Sequence, residues 1–186
     1  MLFKPAVVGA ADELPSVVAA LEQHGCMISG QRIGLFGFSG GGAAALITLI
    51  QGKVAVSAAV LVNASTGLNA SVDALQRAMH RPYAWTPASR ALADETDAVR
   101  HAADIARGNP PPALLIVQGD ADTVLTSKPA IALHDALLPY YHRTYGDARL
   151  RLVLVPRMPH GWIDDKTAAT ELAASSGCVV RTLSIG

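Results

Sequence analysis

The stretch Arg32-Ile33-Gly34-Leu35-Phe36-Gly37-Phe38-Ser39-Gly40-Gly41-Gly42-Ala43-Ala44-Ala45 constrains this chain more than any other. It opens as a short apolar run of strand type and closes as an alanine-rich run of helix type. Between them, Gly37-Phe38-Ser39-Gly40-Gly41 matches G-x-S-x-G. A serine on a sharp strand-to-helix turn is expected to need glycine two before and two after it, because a Cβ at either place would meet the neighbouring strand or helix. Such a turn lifts the Ser39 hydroxyl above the sheet edge and sets it at the positive end of the following helix. It also aims the Gly40 N–H at a developing oxyanion. Taken alone, the pattern fits a phosphate-binding turn or a close helix–sheet approach equally well. The rest of the chain has to decide.

The length of 186 residues suits one domain with a real core, 1–186, in which 64–110 reads as an irregular and helical insertion. The apolar fraction of 51% includes 33 alanines, which points to helices close against a sheet and not to a membrane protein. No apolar run reaches the roughly 18–20 residues of a membrane span. Fifteen basic and fifteen acidic side chains cancel, with no basic block to attract nucleic acid or acidic lipid. Cys26 and Cys178 sit in no metal-ligand spacing. The start Met1-Leu2-Phe3-Lys4-Pro5 lacks a signal-peptide layout, so a cytoplasmic location is the default expectation.

In chain order, 11–24 reads as a helix with Asp12 as its cap, Leu14, Val17, Val18 and Leu21 on one face, and Gly25 as its stop. Strand 32–38 and helix 40–51 follow, then a buried strand at 58–62 that ends at Asn63 and Ser65. Residues 64–90 look less regular. A helix is expected over 88–107, ended by Gly108-Asn109-Pro110-Pro111-Pro112. Strand 113–117 leads to the polar turn Gln118-Gly119-Asp120-Ala121-Asp122, helix 127–142 to strand 150–155, and that strand to Pro156-Arg157-Met158-Pro159-His160-Gly161-Trp162. A last helix over 164–175 and a short strand over Cys178–Ile185 complete the reading. Apolar strands separated by helices specify a parallel sheet covered on both faces.

Ligands of such sheets sit beyond the carboxyl ends of the strands. Ser39, then Asp120 and Asp122, then His160 all fall at that rim, in the order expected when a nucleophile elbow comes first. A serine hydroxyl is a poor nucleophile until an imidazole takes its proton, and the imidazole needs a carboxylate to fix its tautomer. The chain thereby resembles the C-terminal part of an α/β-hydrolase, of the kind that includes dienelactone-hydrolase-like and prolyl-oligopeptidase-like esterases and peptidases. The elbow, the acid turn Leu114–Val124 and the histidine loop Met158-Pro159-His160-Gly161-Trp162 carry the likeness, which covers roughly residues 11–175.

The resemblance implies a serine hydrolase acting on a small-molecule ester or acyl substrate, with Ser39 as nucleophile, His160 as base, Asp122 as acid and Gly40 as oxyanion donor; no metal or cofactor is needed. Asp120 competes with Asp122 for the acid. His134 and His142 fall in a helical stretch and read as surface or core residues, and His24, His80 and His101 as solvated side chains. Phe38, Tyr83, Trp85 and Trp162 are the candidate substrate-binding side chains, although Tyr83 and Trp85 equally suit a small core of their own inserted segment.

A complete family member has several strands before the elbow and a loop, often His-Gly, that supplies a second oxyanion N–H. Only 38 residues precede Ser39, and His24-Gly25 reads as a helix end. The N-terminal half of the fold therefore looks truncated. Losing one oxyanion donor costs about 100- to 1,000-fold in turnover, so a truncated remnant that binds a ligand or partner is the alternative. The strand at 32–38 would be an exposed apolar edge. A longer protein, a homodimer formed through this edge, or the Cys178–Ile185 tail would each cover it.

Overall fold

A computed structural model describes residues 3–141 and 148–161 of the chain. The expected helix at 164–175, the Cys178–Ile185 strand, Trp162 and His142 lie outside these residues. Four strands, β1 (Ile33–Phe38), β2 (Val56–Val62), β3 (Ala113–Gly119) and β4 (Leu150–Val155), form one parallel sheet in the order β1-β2-β3-β4. The molecule is thus a parallel sheet flanked by helices. Every residue of β3 is buried, as an inner strand requires, whereas in β1 only Gly37 is buried. Register is continuous from Leu35↔Ala59 and Ala59↔Leu114 to Ile116↔Leu152, so the carboxyl ends of the strands share one rim.

Six helices accompany the strands among the described residues: α1 (Gly9–Gln23), α2 (Gly40–Gln51), α3 (Leu68–Met79), α4 (Pro87–Glu95), α5 (Ala102–Ile105) and α6 (Ser127–Tyr141). The helix expected at 11–24 begins earlier and continues a π-helical turn, Lys4–Val8. Asp12 therefore lies in its first turn and does not cap it. Its carboxylate instead accepts hydrogen bonds from Gln51 (2.8 Å) and Lys53 (3.3 Å) at the far end of α2, which hold its pKa below the usual carboxylate value. The apolar face expected on this helix is only partly covered, with Val17 and Leu21 exposed.

Two other expectations change. The stretch 64–90 contains α3, an amphipathic helix whose Leu68 and Val72 are buried while Leu75 and Met79, further along the same stripe, face solvent. The helix expected over 88–107 is two helices. Asp97 accepts hydrogen bonds from the N–H groups of Val99 and Arg100 and turns the chain between them. Thr86 and Ser89 form a reciprocal capping box at the start of α4, with Pro87 in the first turn.

One sheet face, carrying Ala59, Leu61, Leu114, Ile116 and Leu150, packs against Leu46 and Leu49 of α2, Ile105 of α5 and Leu133 and Leu137 of α6. On the other face Val62, Leu115, Val117 and Val155 form a cluster with Met158, and no described helix contributes to it. Coverage of both faces, as expected from the strands, is thus seen on one side only among the described residues. The strand β1 is a sheet edge there, and its Phe36 is 64% exposed. No described helix is long and apolar enough to cross a membrane.

The phenol of Tyr141, at the end of α6, is fully buried and donates to the Pro112 carbonyl at 2.7 Å. Burial pushes its pKa above the ordinary value of 10.0. The folded protein therefore keeps this proton at a pH where the unfolded chain has released it. The associated stability is complete below about pH 10 and declines as pH rises through the elevated folded value. Urea unfolding should show Tyr141→Phe less stable than the native protein by about 1 kcal/mol at pH 7, with the gap narrowing above pH 10. A gap that widens there would contradict this assignment.

Candidate active site

Ser39 is the hinge between β1 and α2 and has φ 51° and ψ −119°, a strained backbone for a residue with a Cβ. Such a conformation costs on the order of 1–3 kcal/mol and persists only where the surroundings over-determine it. Here its N–H donates to the Val62 carbonyl at 3.1 Å. Its carbonyl accepts from Gly42 (3.1 Å), Ala43 (3.4 Å) and Ser65 (3.1 Å), so β2 and the first turn of α2 both hold the turn. Gly40 opens α2, where helix geometry leaves N–H groups without intrahelical acceptors.

The imidazole of His160 spans the two other groups. Its Nε2 lies 3.0 Å from Ser39 Oγ and its Nδ1 lies 2.8 Å from Asp122 Oδ2. An ionised carboxylate only accepts, so Nδ1 carries the hydrogen and the Nε2 lone pair receives the serine hydroxyl. The Asp122 side chain is wholly buried, which for a lone carboxylate would be costly. Four hydrogen bonds compensate: Oδ1 accepts from the N–H groups of Val124 and Leu125 (both 2.8 Å), and Oδ2 from Gln118 Nε2 (3.3 Å) and His160. Asp120, the competing carboxylate, is exposed and accepts from the Arg157 N–H at 2.6 Å, which ties it to the turn after β4.

Phe38 packs its ring against His160, with centroids 5.1 Å apart. Tyr83 and Trp85 meet edge to face at 5.0 Å and are half-buried on a cluster of Phe3, Ala43, Ile47, Leu68, Val72 and Ala93, with Arg90 over the indole. Tyr83 also lines an apolar cavity of about 290 Å³ with Leu75, Met79 and Pro82, and none of Ser39, Asp122 and His160 borders it. Among the described residues no group of three or more His, Cys, Asp and Glu side chains could hold a metal ion. Two residues of the site are given no role by the motifs, Gln118 inside the acid turn and Asn63 outside all of them. Their one signal is shared: each is a polar side chain at the end of an apolar strand, on the rim that carries Ser39 and Asp122.

Residues 8–183 match the model of the prolyl oligopeptidase family. Solved structures share the fold. A puromycin-hydrolyzing peptidase from Mycobacterium tuberculosis is 19% identical with a TM-score of 0.68, over 94% of this chain and 25% of its own. TT1662 from Thermus thermophilus is 19% identical with a TM-score of 0.64, over 95% of this chain and 63% of its own. The esterase domain of a Rhodothermus marinus protein is 19% identical with a TM-score of 0.51, over 88% of this chain and 66% of its own. The chain spans about a quarter of the length of the first of these. No curated protein matches the sequence.

The glycines around Ser39 are not equivalent. A Cβ on Gly37 would lie 2.6 Å from the Gly41 carbonyl oxygen, and one on Gly42 would run into the Ala64 methyl. A Cβ on Gly41 would meet nothing within 4 Å. The steric demand of the turn therefore falls on Gly37 and Gly42, not on the last glycine of the motif. Thermal unfolding should show Gly37→Ala and Gly42→Ala destabilised by about 1–3 kcal/mol, the usual cost of overpacking. Gly41→Ala should be no less stable than the native protein, and a large loss there would contradict the contact geometry.

Proposed function

The chain belongs to the prolyl oligopeptidase family, and from that premise we propose that it is a serine hydrolase cleaving a carboxylic ester or related acyl bond. One observation carries the reading: a single imidazole is hydrogen-bonded at one nitrogen to a buried carboxylate and at the other to a strained, helix-capping serine. In the proposed reaction Ser39 Oγ attacks the acyl carbon while His160 Nε2 takes its proton. Asp122 stabilises the imidazolium, and the Gly40 N–H, at the positive end of α2, supports the oxyanion. The imidazolium returns the proton to the departing alkoxide, releasing an alcohol and leaving Ser39 acylated. Water, activated by the same imidazole, then releases the acid.

Ester cleavage is preferred over peptide cleavage because an alcohol leaves more readily than an amine. Phe38, beside the imidazole, is the candidate contact for the substrate. A second reading, an interaction module on the same scaffold, draws on β1 being a sheet edge among the described residues and on the exposed ring of Phe36. A homodimer through that edge would bury both.

Turnover of short p-nitrophenyl esters separates the two readings. The proposal expects hydrolysis that Ser39→Ala abolishes and that Asp122→Asn lowers by about 10⁴-fold, the cost of losing the correct imidazole tautomer. Native protein that is folded and dimeric, yet has no serine-dependent turnover, would favour the second reading.

A further inference from the structure

Between the acid turn and the histidine loop stands a residue that neither motif contains. Asn63 ends β2, is fully buried, and has φ 42°, in the left-handed region that asparagine tolerates better than most residues. Its N–H donates to the Val117 carbonyl at 2.9 Å, which holds it in the β2–β3 ladder. Its side chain then reaches the end of β3 and the loop that follows β4. The amide oxygen accepts the Gly119 N–H at 2.8 Å, three residues before Asp122. The amide nitrogen donates to the carbonyls of Pro159 at 3.0 Å and His160 at 3.2 Å.

The orientation of this amide is dictated by its partners. Turned over, it would set an oxygen against two carbonyl oxygens and an NH₂ group against an N–H. One planar group thus fixes the backbone of the base relative to the backbone turn that presents the acid. His160 must reach Asp122 and Ser39 at once, so its Cα has little freedom if both contacts are to survive.

We propose that Asn63 is a positioning residue of the active site, holding the histidine loop at the distance and angle from the acid turn at which the imidazole engages both partners. This inference rests on the hydrolase reading for its consequence in catalysis, and on the hydrogen bonds above for its geometry. Asn63 does not touch the reacting atoms. It acts through the carbonyls of Pro159 and His160.

Asn63→Gly keeps the left-handed backbone accessible and deletes all three side-chain bonds. Asn63→Asp keeps the shape and an acceptor for Gly119 but faces two carbonyl oxygens with an anion. Thr96→Ala is the control: it removes a buried hydroxyl that donates to Leu92 and accepts from Leu68, with no bond to either loop. Two measurements are made on each folded variant, the His160 titration midpoint by NMR and the kinetics of p-nitrophenyl ester hydrolysis.

A loosened contact with Asp122 destabilises the imidazolium, so the midpoint should move to lower pH in Asn63→Gly, which adds no charge beside the ring, and stay at the native value in Thr96→Ala. Turnover, kcat, should fall about 100-fold in the Asn63 variants, the scale of a small misplacement of a catalytic group, with KM within about twofold of native. A native midpoint in folded Asn63→Gly overturns the inference. If the native protein shows no turnover, the hydrolase reading fails, while the titration still decides whether Asn63 positions His160.

Discussion

The site depends on one ring reaching two partners that the chain keeps far apart. Ser39, Asp122 and His160 belong to the ends of three different strands, β1, β3 and β4, and meet because a parallel sheet in simple sequential order brings those ends to one rim. The least forgiving member is the carboxylate. Asp122 is withdrawn from water, and a charge so placed is tolerable only if its lone pairs are filled. Backbone N–H groups of Val124 and Leu125 fill one oxygen, and Gln118 with His160 fills the other. The turn that follows β3 is therefore shaped around the acid, and the imidazole completes a set of acceptor contacts that is already three-quarters built.

Strain on the opposite side is handled by the same means. The backbone of Ser39 is held in an unfavourable conformation by bonds from β2 and from α2, and by Gly42 lying against Ala64. Stability spent at the elbow is recovered in the ladder between β1 and β2 and in the apolar face of α2. The histidine loop is anchored likewise: Asn63 donates to the carbonyls of Pro159 and His160, and a Cβ on Gly119 would run into the Met158 carbonyl.

Much of this architecture can be read from residues. The buried strands announce themselves as apolar runs, and α2 and β4 have the expected bounds, because their pattern is strong and their ends carry glycine or proline. The stretch 64–90 hid α3, since its apolar stripe is interrupted by small polar residues and, of its large apolar side chains, Leu68 and Val72 are buried while Leu75 and Met79 are exposed. The break between α4 and α5 is made by the Asp97 side chain, which propensity alone does not foresee. Motif spacing proposed Asp122 and His160 and left Asp120 open, and the hydrogen bond from Arg157 explains why Asp120 belongs to another turn. The motif glycine at 41 carries no steric burden, and Asn63 and Gln118 were silent because their importance is relational. Their partners lie as far as 97 residues away, at His160 for Asn63.

The central claim is that Ser39 is activated by the imidazole that Asp122 holds. The most direct measurement is reaction of the native, folded protein with a small fluorophosphonate, followed by mass spectrometry of its peptides. Here Ser39 Oγ forms the P–O bond, fluoride leaves, and His160 takes the proton. The account predicts a single phosphonyl group on the peptide that carries Ser39 and its absence from His160→Ala. Native protein that stays unlabelled, or a label on any other residue that survives in Ser39→Ala, would contradict it.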